Sequence, residues 1–426
     1  MALKRALKLS VVQTGVRLFL SFASVKLSAL YIGAPGLALT SQLSGFIVLS
    51  SGVIGHGIQT AVTRLTPEYQ EKDDQLKRLW STATRLIGVL GGLLAVVVVV
   101  GSYPISVWLL HSGKYWYVIA LAALAMVSAA YNAVFNAILT GLKRLPALVV
   151  SGVSASVLGF AFFAPLTCWL GLAGALLGVV LTQALSVLVS MPIVLRESGL
   201  QLKNLFGTWD WGSAKLIIKF IPMLVANATA SPLALILIRG VLASELGLKS
   251  AGLWQAAWRV SEMYTMVISS ALSLYLIPHL ASLHDEQQFK RELLRVMGMT
   301  SALCAGVASL LYLLRPALVH IVFAHEFMPM LALYPYQLIG DVLMMAARPL
   351  RMALVVKMQT ALYVVVEFVA PGLMVVMTYA LVPLVGIRAP AYSYIMSNIV
   401  LLGVLVVAHF SKLASHTALI DRSVQK

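Results

Sequence analysis

The chain has 426 residues, of which 60% are hydrophobic and only 11% charged, and its formal net charge is +16. A soluble domain carries roughly 25% charged residues, so the composition excludes a water-facing surface over most of this length and fits lipid as the solvent. Cys168 and Cys304 form neither a disulfide framework nor a metal-ligand spacing, and the chain has no C-x-x-C, H-E-x-x-H or glycine-rich phosphate loop. It therefore carries no motif for catalysis, ATP hydrolysis or metal binding, and no cofactor or metal is expected.

A spanning helix needs about 20 apolar residues, and about twelve of them fill this length. In chain order they are expected at 9–31, 40–65, 81–110, 115–140, 146–168, 171–195, 214–239, 251–279, 294–321, 328–351, 359–382 and 387–410. The fold class is thus all-α polytopic membrane protein, in two pseudo-repeated six-helix bundles. These are an N-terminal lobe 1–200, a linker 201–213, a C-terminal lobe 214–411 and a tail 412–426. Met1-Ala2-Leu3-Lys4-Arg5 leads into helix-compatible sequence through Tyr31, too long for a signal-peptide core, and is expected to be a retained first span. Gly33-Ala34-Pro35-Gly36, Gly141 to Pro146 and Gly171-Leu172-Ala173-Gly174 read as tight turns. A weak echo between Gly36-Leu37 and Gly252-Leu253, with Pro67 and Pro278 near the ends of the spans they open, suggests duplication.

Alternate connections differ sharply in charge. One side collects twenty-two Lys and Arg, from Lys4 through Arg64, Lys143, Arg196, Arg291, Arg348, Arg351 and Lys357 to Lys426. The other has five: Lys114, Arg239, Lys249, Arg315 and Arg388. The positive-inside rule then puts both termini in the cytoplasm of a bacterial inner membrane. The same asymmetry accounts for the basic charge without a nucleic-acid partner.

Ionisable groups inside spans cost roughly 2.5–3.5 kcal/mol each and mark protein interior or a wet cavity. In the first span Gln13, Arg17, Ser21, Ser24 and Ser28 form one polar stripe at helical spacing, while Lys26 falls half a turn out of phase with Arg17. Either the span bends, or Lys26 serves another surface near the outer end; the structural reading is that it snorkels to headgroups. His56, among Gly52, Gly55 and Gly57, reads as a packed histidine. The seventh span carries Lys219, Pro222, Asn227, Thr229 and Pro232 and is expected to be bent towards a cavity.

In the eighth span Gln255, Arg259, Glu262, Ser269 and Ser273 share a face, and Arg259 can pair with Glu262 three residues on. Asp341, with Gln337 before it and Arg348 after it, and Glu367, with Gln359 and Tyr363, must each find a partner or take a proton. Glu367 leans towards balancing cavity arginines. Asp341 stays open between charge balancing and ion coupling. Trp80, Trp108, Trp116, Trp169, Trp209 and Trp211, near span ends, read as interfacial aromatics.

Several stretches together carry a resemblance. They are Gly33 to Leu37 with Lys26 upstream, Val62-Thr63-Arg64, Leu253-Trp254-Gln255 with Tyr264, and Tyr275-Leu276-Ile277-Pro278. Tyr336-Gln337-Leu338-Ile339-Gly340-Asp341-Val342-Leu343 follows, then Lys357 and Glu367. In order and spacing they resemble the polysaccharide transporter branch of the multidrug/oligosaccharidyl-lipid/polysaccharide exporter superfamily. The resemblance implies a V-shaped, alternating-access secondary transporter and not an enzyme. It would flip an undecaprenyl-pyrophosphate-linked glycan between leaflets, with membrane lipids and the periplasmic glycan polymerase machinery as further partners.

It also implies that Arg17, Lys26, Arg259 and Lys357 lie where such transporters keep charged residues; with Lys219 and Arg348, read from their place in the spans, they are expected to bind substrate. Glu262, standing where an aspartate is expected, Asp341 and Glu367 would balance charge or couple a proton or Na⁺. Gln13, Ser21, Ser24, Gln255 and Asn227 would line the cavity. Gly386-Ile387-Arg388-Ala389-Pro390 departs from the family's small-residue run. The alternative is a cation-coupled exporter of small organic molecules, against which the midspan arginines argue by charge sign.

Overall fold

The computed structural model describes residues 2–70, 72–198, 207, 209–283, 285–357 and 359–410, with backbone only at 2–12, 73, 219–227, 273–275, 277–278, 281 and 360. The described residues are helical nearly throughout, as lipid demands of a backbone that must satisfy its own hydrogen bonds. The first helices are α1 (Ala2–Tyr31), α2 (Gly33–Glu68), α3 (Asp73–Val100), α4 (Ser102–Leu110) and α5 (Trp116–Gly141). The run Leu145–Ser198 folds at Gly171 into α6 (145–170) and α7 (172–198). Then come α8 (Trp211–Leu246), α9 (Leu248–Ala281), α10 (Glu286–Val322), α11 (Tyr334–Val356), α12 (Thr360–Val385) and α13 (Ala389–Phe410).

Seven helical stretches among the described residues are long and apolar enough to cross a membrane: Gly33–Glu68, Asp74–Val100, Gly113–Gly141, Leu145–Ser198, Ala228–Leu246, Glu286–Val322 and Ala361–Phe410. Two of these, Leu145–Ser198 and Ala361–Phe410, each hold two helices. The helices α9 and α11 are not in that set; Arg259 and Glu262 lie within α9, and Asp341, Arg348 and Arg351 within α11. Several expected boundaries move: α2 begins at Gly33 rather than 40, α3 at Asp73 rather than 81 and α10 at Glu286 rather than 294. The third span breaks at Gly101, between α3 and α4. The tenth begins at Tyr334 rather than 328, because His325–Ala332, with Pro329 inside it, is a 3₁₀ segment.

The chain forms two compact units. One comprises Met1–Gly240 with Val322–Ala324, the other Val241–Ile321 with His325–Lys426. In the first, Leu43, Ile47, Ile58, Leu79, Ile87 and Phe135 are buried. In the second, Leu276, Leu293, Leu350, Leu354 and Leu405 form the core. Large apolar side chains also face outwards, Val100 and Trp169 at 81% exposure and Leu384 at 76%. In water such surfaces would aggregate; here they are the lipid face. Trp80 is not interfacial as expected. It is buried, and its indole N–H donates to Thr66 Oγ1 at 3.0 Å.

Glycines with positive φ recur at a nearly constant spacing along the chain. Gly33 (φ 63°) opens α2 and Gly247 (φ 82°) opens α9, 214 residues later. Gly171 (φ 57°, ψ −132°) turns the chain between α6 and α7, and Gly386 (φ 59°, ψ −134°) does so between α12 and α13, 215 residues apart. Left-handed backbone of this kind favours glycine. The glycines of α2 serve close packing instead. A Cβ on Gly55 would sit 3.1 Å from Ala130 of α5, and one on Gly52 would sit 3.3 Å from Ala228 of α8. His56, directly after Gly55, is half-buried.

Candidate functional site

The densest polar cluster lies inside the second unit, where α9, α11 and α13 meet. Asp341 on α11 is 1% exposed. Its Oδ2 accepts from Ser261 Oγ at 2.6 Å and from the Tyr264 hydroxyl at 2.8 Å, and its Oδ1 accepts from the Tyr394 hydroxyl at 3.2 Å. Ser261 and Tyr264 are three apart on α9 and so present themselves to the same point. Tyr394 reaches Asp341 because the preceding residue of α11 is Gly340. A Cβ there would overlap the Tyr394 ring. These three Asp341 partners are neutral hydroxyls, with the neutral Gln337 amide one turn before it on α11, and among the described residues Asp341 forms no ion pair. Such a dry carboxylate with ready hydroxyl donors can hold a proton or a small cation. No three His, Cys, Asp or Glu side chains converge on a metal-sized point among the described residues.

Cations gather towards one end of the same unit. Arg351 Nη1 lies 3.1 Å from Glu367 Oε1, with the side chains 21% and 11% exposed. Arg348, half-buried, is one turn earlier on α11. Glu367 therefore has a guanidinium partner, but it is Arg351, which the charge count had assigned to a cytoplasmic connection. Lys357 lies 2.9 Å from Glu286 and over the Phe289 ring at 4.6 Å. It lines a cavity of about 310 Å³ with Asp285, Leu283 and Val356.

Further along α9, Arg259 Nη1 pairs with Glu262 Oε2 at 3.2 Å, and the two side chains remain 43% and 40% exposed. The indole N–H of Trp258 donates to the other carboxylate oxygen, Oε1, at 2.9 Å. The expected common face does not hold. Gln255 and Ser269 are buried in the unit interior, whereas Arg259 and Glu262 stay accessible. The side chain of Ser273 lies outside the described residues.

In the first unit the α1 stripe is divided. Arg17 is exposed, Gln13 abuts Gly152 of α6, and Ser21 is half-buried. Ser24 Oγ donates to the Leu20 carbonyl at 2.9 Å, and Ser28, itself buried, donates to the Ser24 carbonyl. Lys26 Nζ donates to the Phe323 carbonyl at 3.1 Å, in the segment 322–324 that groups with this unit. Arg239, counted in the sequence as an outer connection, is instead buried in α8 and donates through Nε to Gln42 Oε1 at 2.8 Å. Gln42 returns a bond to the Ile236 carbonyl at 3.1 Å. The side chains of Lys219 and Asn227 lie outside the described residues.

Long apolar helices, outward-facing aliphatic surfaces and buried polar clusters define a multi-pass membrane protein with the fold of a secondary transporter. Residues 39–332 match the profile of a family described as "Polysaccharide biosynthesis protein", and the chain belongs to that family. It is similar to the lipid III flippases of Escherichia coli (strain K12) and Shigella flexneri. Each is 26% identical over 400 residues, covering 94% of this chain and 96% of the relative. Among solved structures it shares the fold of an inward-facing multidrug resistance MATE family transporter of the MOP superfamily. That match has a TM-score of 0.78 at 13% identity and covers 95% of this chain and 94% of the other. It also shares the fold of a MOP superfamily transporter from Pyrococcus furiosus whose binding pocket is described as reversed in polarity. There the TM-score is 0.68 at 13% identity, covering 97% and 96% of the two chains.

Proposed function

We propose that this chain flips an undecaprenyl-pyrophosphate-linked oligosaccharide from the cytoplasmic to the periplasmic leaflet of a bacterial inner membrane. Both termini are cytoplasmic, and the product passes to the periplasmic glycan polymerase machinery. The observation that carries this reading is the cation excess around Glu367. Arg351 and Arg348 stand one turn apart with that carboxylate beside them. A pyrophosphate can take up the uncompensated charge through forked guanidinium donors. The family match and the lipid III flippase relatives support the same substrate class. Asp341, in its cage of hydroxyls, is the group we assign to coupling by a proton or Na⁺.

The second reading, cation-coupled export of small organic molecules, draws on the multidrug transporters among the fold relatives, and on structural grounds alone it has the stronger support. The fold is common to both readings, and one of its members is described as having reversed pocket polarity. Charge sign therefore weighs more than fold, and an organic cation is repelled by paired arginines. Reconstitution in proteoliposomes separates the two. The flippase reading expects exposure of a labelled undecaprenyl-pyrophosphate glycan on the opposite leaflet, with no transport of organic cations. Efflux of organic cations without headgroup exposure overturns it.

A further inference from the structure

The function so far leaves Trp258 unused, and its setting is unusual. Its ring is held by its N–H bond to Glu262, by Trp254 at 5.5 Å between centroids, and by a T-shaped contact with Tyr394 at 5.1 Å. Trp254 and Tyr394 are themselves buried, so their faces are spent on packing. Trp258 remains partly accessible beside Arg259 and Glu262, whose charged side chains are 43% and 40% exposed. An ion pair that open, in the interior of a membrane span, faces water rather than hydrocarbon. Trp258, tied to Glu262, shares that watery face.

We propose that Trp258, Glu262 and Arg259 form a sugar subsite. The indole receives the C–H face of a pyranose, and the two charged groups receive its hydroxyls. The inference rests on the flippase reading and names which part of the substrate this site takes. An electron-rich indole face attracts partial positive charge, as sugar C–H groups carry. Glu262 accepts one bond on each oxygen from within the protein, and a carboxylate offers about four lone-pair sites, which leaves acceptor capacity for hydroxyl donors. Arg259 retains donors beyond the one aimed at Glu262. The charge of the trio sums to zero. An aromatic with a lone carboxylate would favour an organic cation, but here the guanidinium cancels that preference, and a neutral polyol is the chemistry left. The pyrophosphate belongs to the separate cluster around Arg351.

The test compares binding to the full chain in nanodiscs of two probes: undecaprenyl pyrophosphate, and the same lipid bearing one N-acetylglucosamine. Wild type is expected to bind the sugar-bearing lipid more tightly. Trp258→Leu should remove about tenfold of that difference, about 1.4 kcal/mol, and leave affinity for the bare lipid unchanged. Trp258→Phe keeps an aromatic face and should retain most of the difference; it decides the matter if the leucine variant does not accumulate. If either variant weakens both probes equally, Trp258 is a packing residue and the proposal is overturned. If Trp258→Leu keeps the full sugar preference, the proposal is likewise overturned while the flippase reading stands. If wild type binds neither lipid, the flippase reading itself fails, and the sugar subsite fails with it.

Discussion

Replacing Glu367 by glutamine tests whether the Arg351 pair is a structural brace or a placeholder for substrate. At 3.1 Å, opposite unit charges attract by about 5 kcal/mol at an effective dielectric constant of roughly 20. Desolvation offsets part of that attraction, but removing one partner leaves a largely buried guanidinium uncompensated, at a cost of about 3 kcal/mol. Glu367→Gln should therefore destabilise the protein by about that amount, measured by unfolding in mixed micelles. Arg351→Met with Glu367→Leu together should recover most of the loss, because no charge is stranded. Binding should separate the partners. Glu367→Gln frees Arg351 and should bind undecaprenyl pyrophosphate at least as tightly as wild type, whereas Arg351→Met should bind it at least tenfold more weakly, a loss of about 1.4 kcal/mol. Equal weakening in both single variants would refute the reasoning and make the pair a brace alone.

Three further outcomes follow from the geometry. Asp210 caps α8 by accepting the Ser213 N–H at 2.8 Å, and bonds from Ser213, then Gly212 and nearby Arg78, hold its carboxyl below the usual range. A lowered folded value gives stability that is present above the unfolded pKa and lost as pH falls through the folded one. Asp210→Ala should thus cost about 1 kcal/mol at neutral pH, and its gap from wild type in thermal unfolding should close as the medium is acidified below the normal aspartate range. Gly340→Ala drives a methyl into the Tyr394 ring and should cost about 1–3 kcal/mol by the same unfolding assay, with transport lost as Tyr394 leaves Asp341. Cysteines placed at the exposed positions Lys114, Lys249 and Arg388 should label from the periplasm, and those at Asp74 and Gln288 should not; reversal at two sites would overturn the orientation.

What the sequence disclosed was what is local. The Arg259–Glu262 pair needed only a three-residue spacing to be foreseen, and it forms at 3.2 Å. The turns at Gly33 and Gly171 needed only glycine, and both take positive φ. The partners of Asp341 lie 53 to 80 residues away, beyond the reach of any periodicity on α11. Arg351 and Arg239 were read as loop charges because a charge count sees only the ends of apolar runs, yet both are paired inside helices. Trp258 escaped notice because tryptophans were sought at span ends. Its one local sign was Glu262, a helical turn later.

The spacing of the positive-φ glycines lets the carboxylate positions be set against those one offset earlier in the chain. With an offset of 214 to 215 residues, Asp341 corresponds to Met126 or Val127, Glu262 to Ile47 or Val48, and Glu367 to Gly152 or Val153. None of these is ionisable. Ile47 is fully buried and Val48 is 44% exposed, so the positions one offset earlier lack all three carboxylates. The shared backbone is a scaffold that apolar patterning can sustain unaided. Buried carboxylates in the second unit add cost to that scaffold, by desolvation, and contribute nothing to its shape, since the first unit reaches the same corners without them. Groups that are expensive, unnecessary to the fold and confined to one copy are the ones to which function is assigned. Asp341 on α11, Glu262 on α9 and Glu367 on α12 are therefore the positions where substitution should test binding and coupling first.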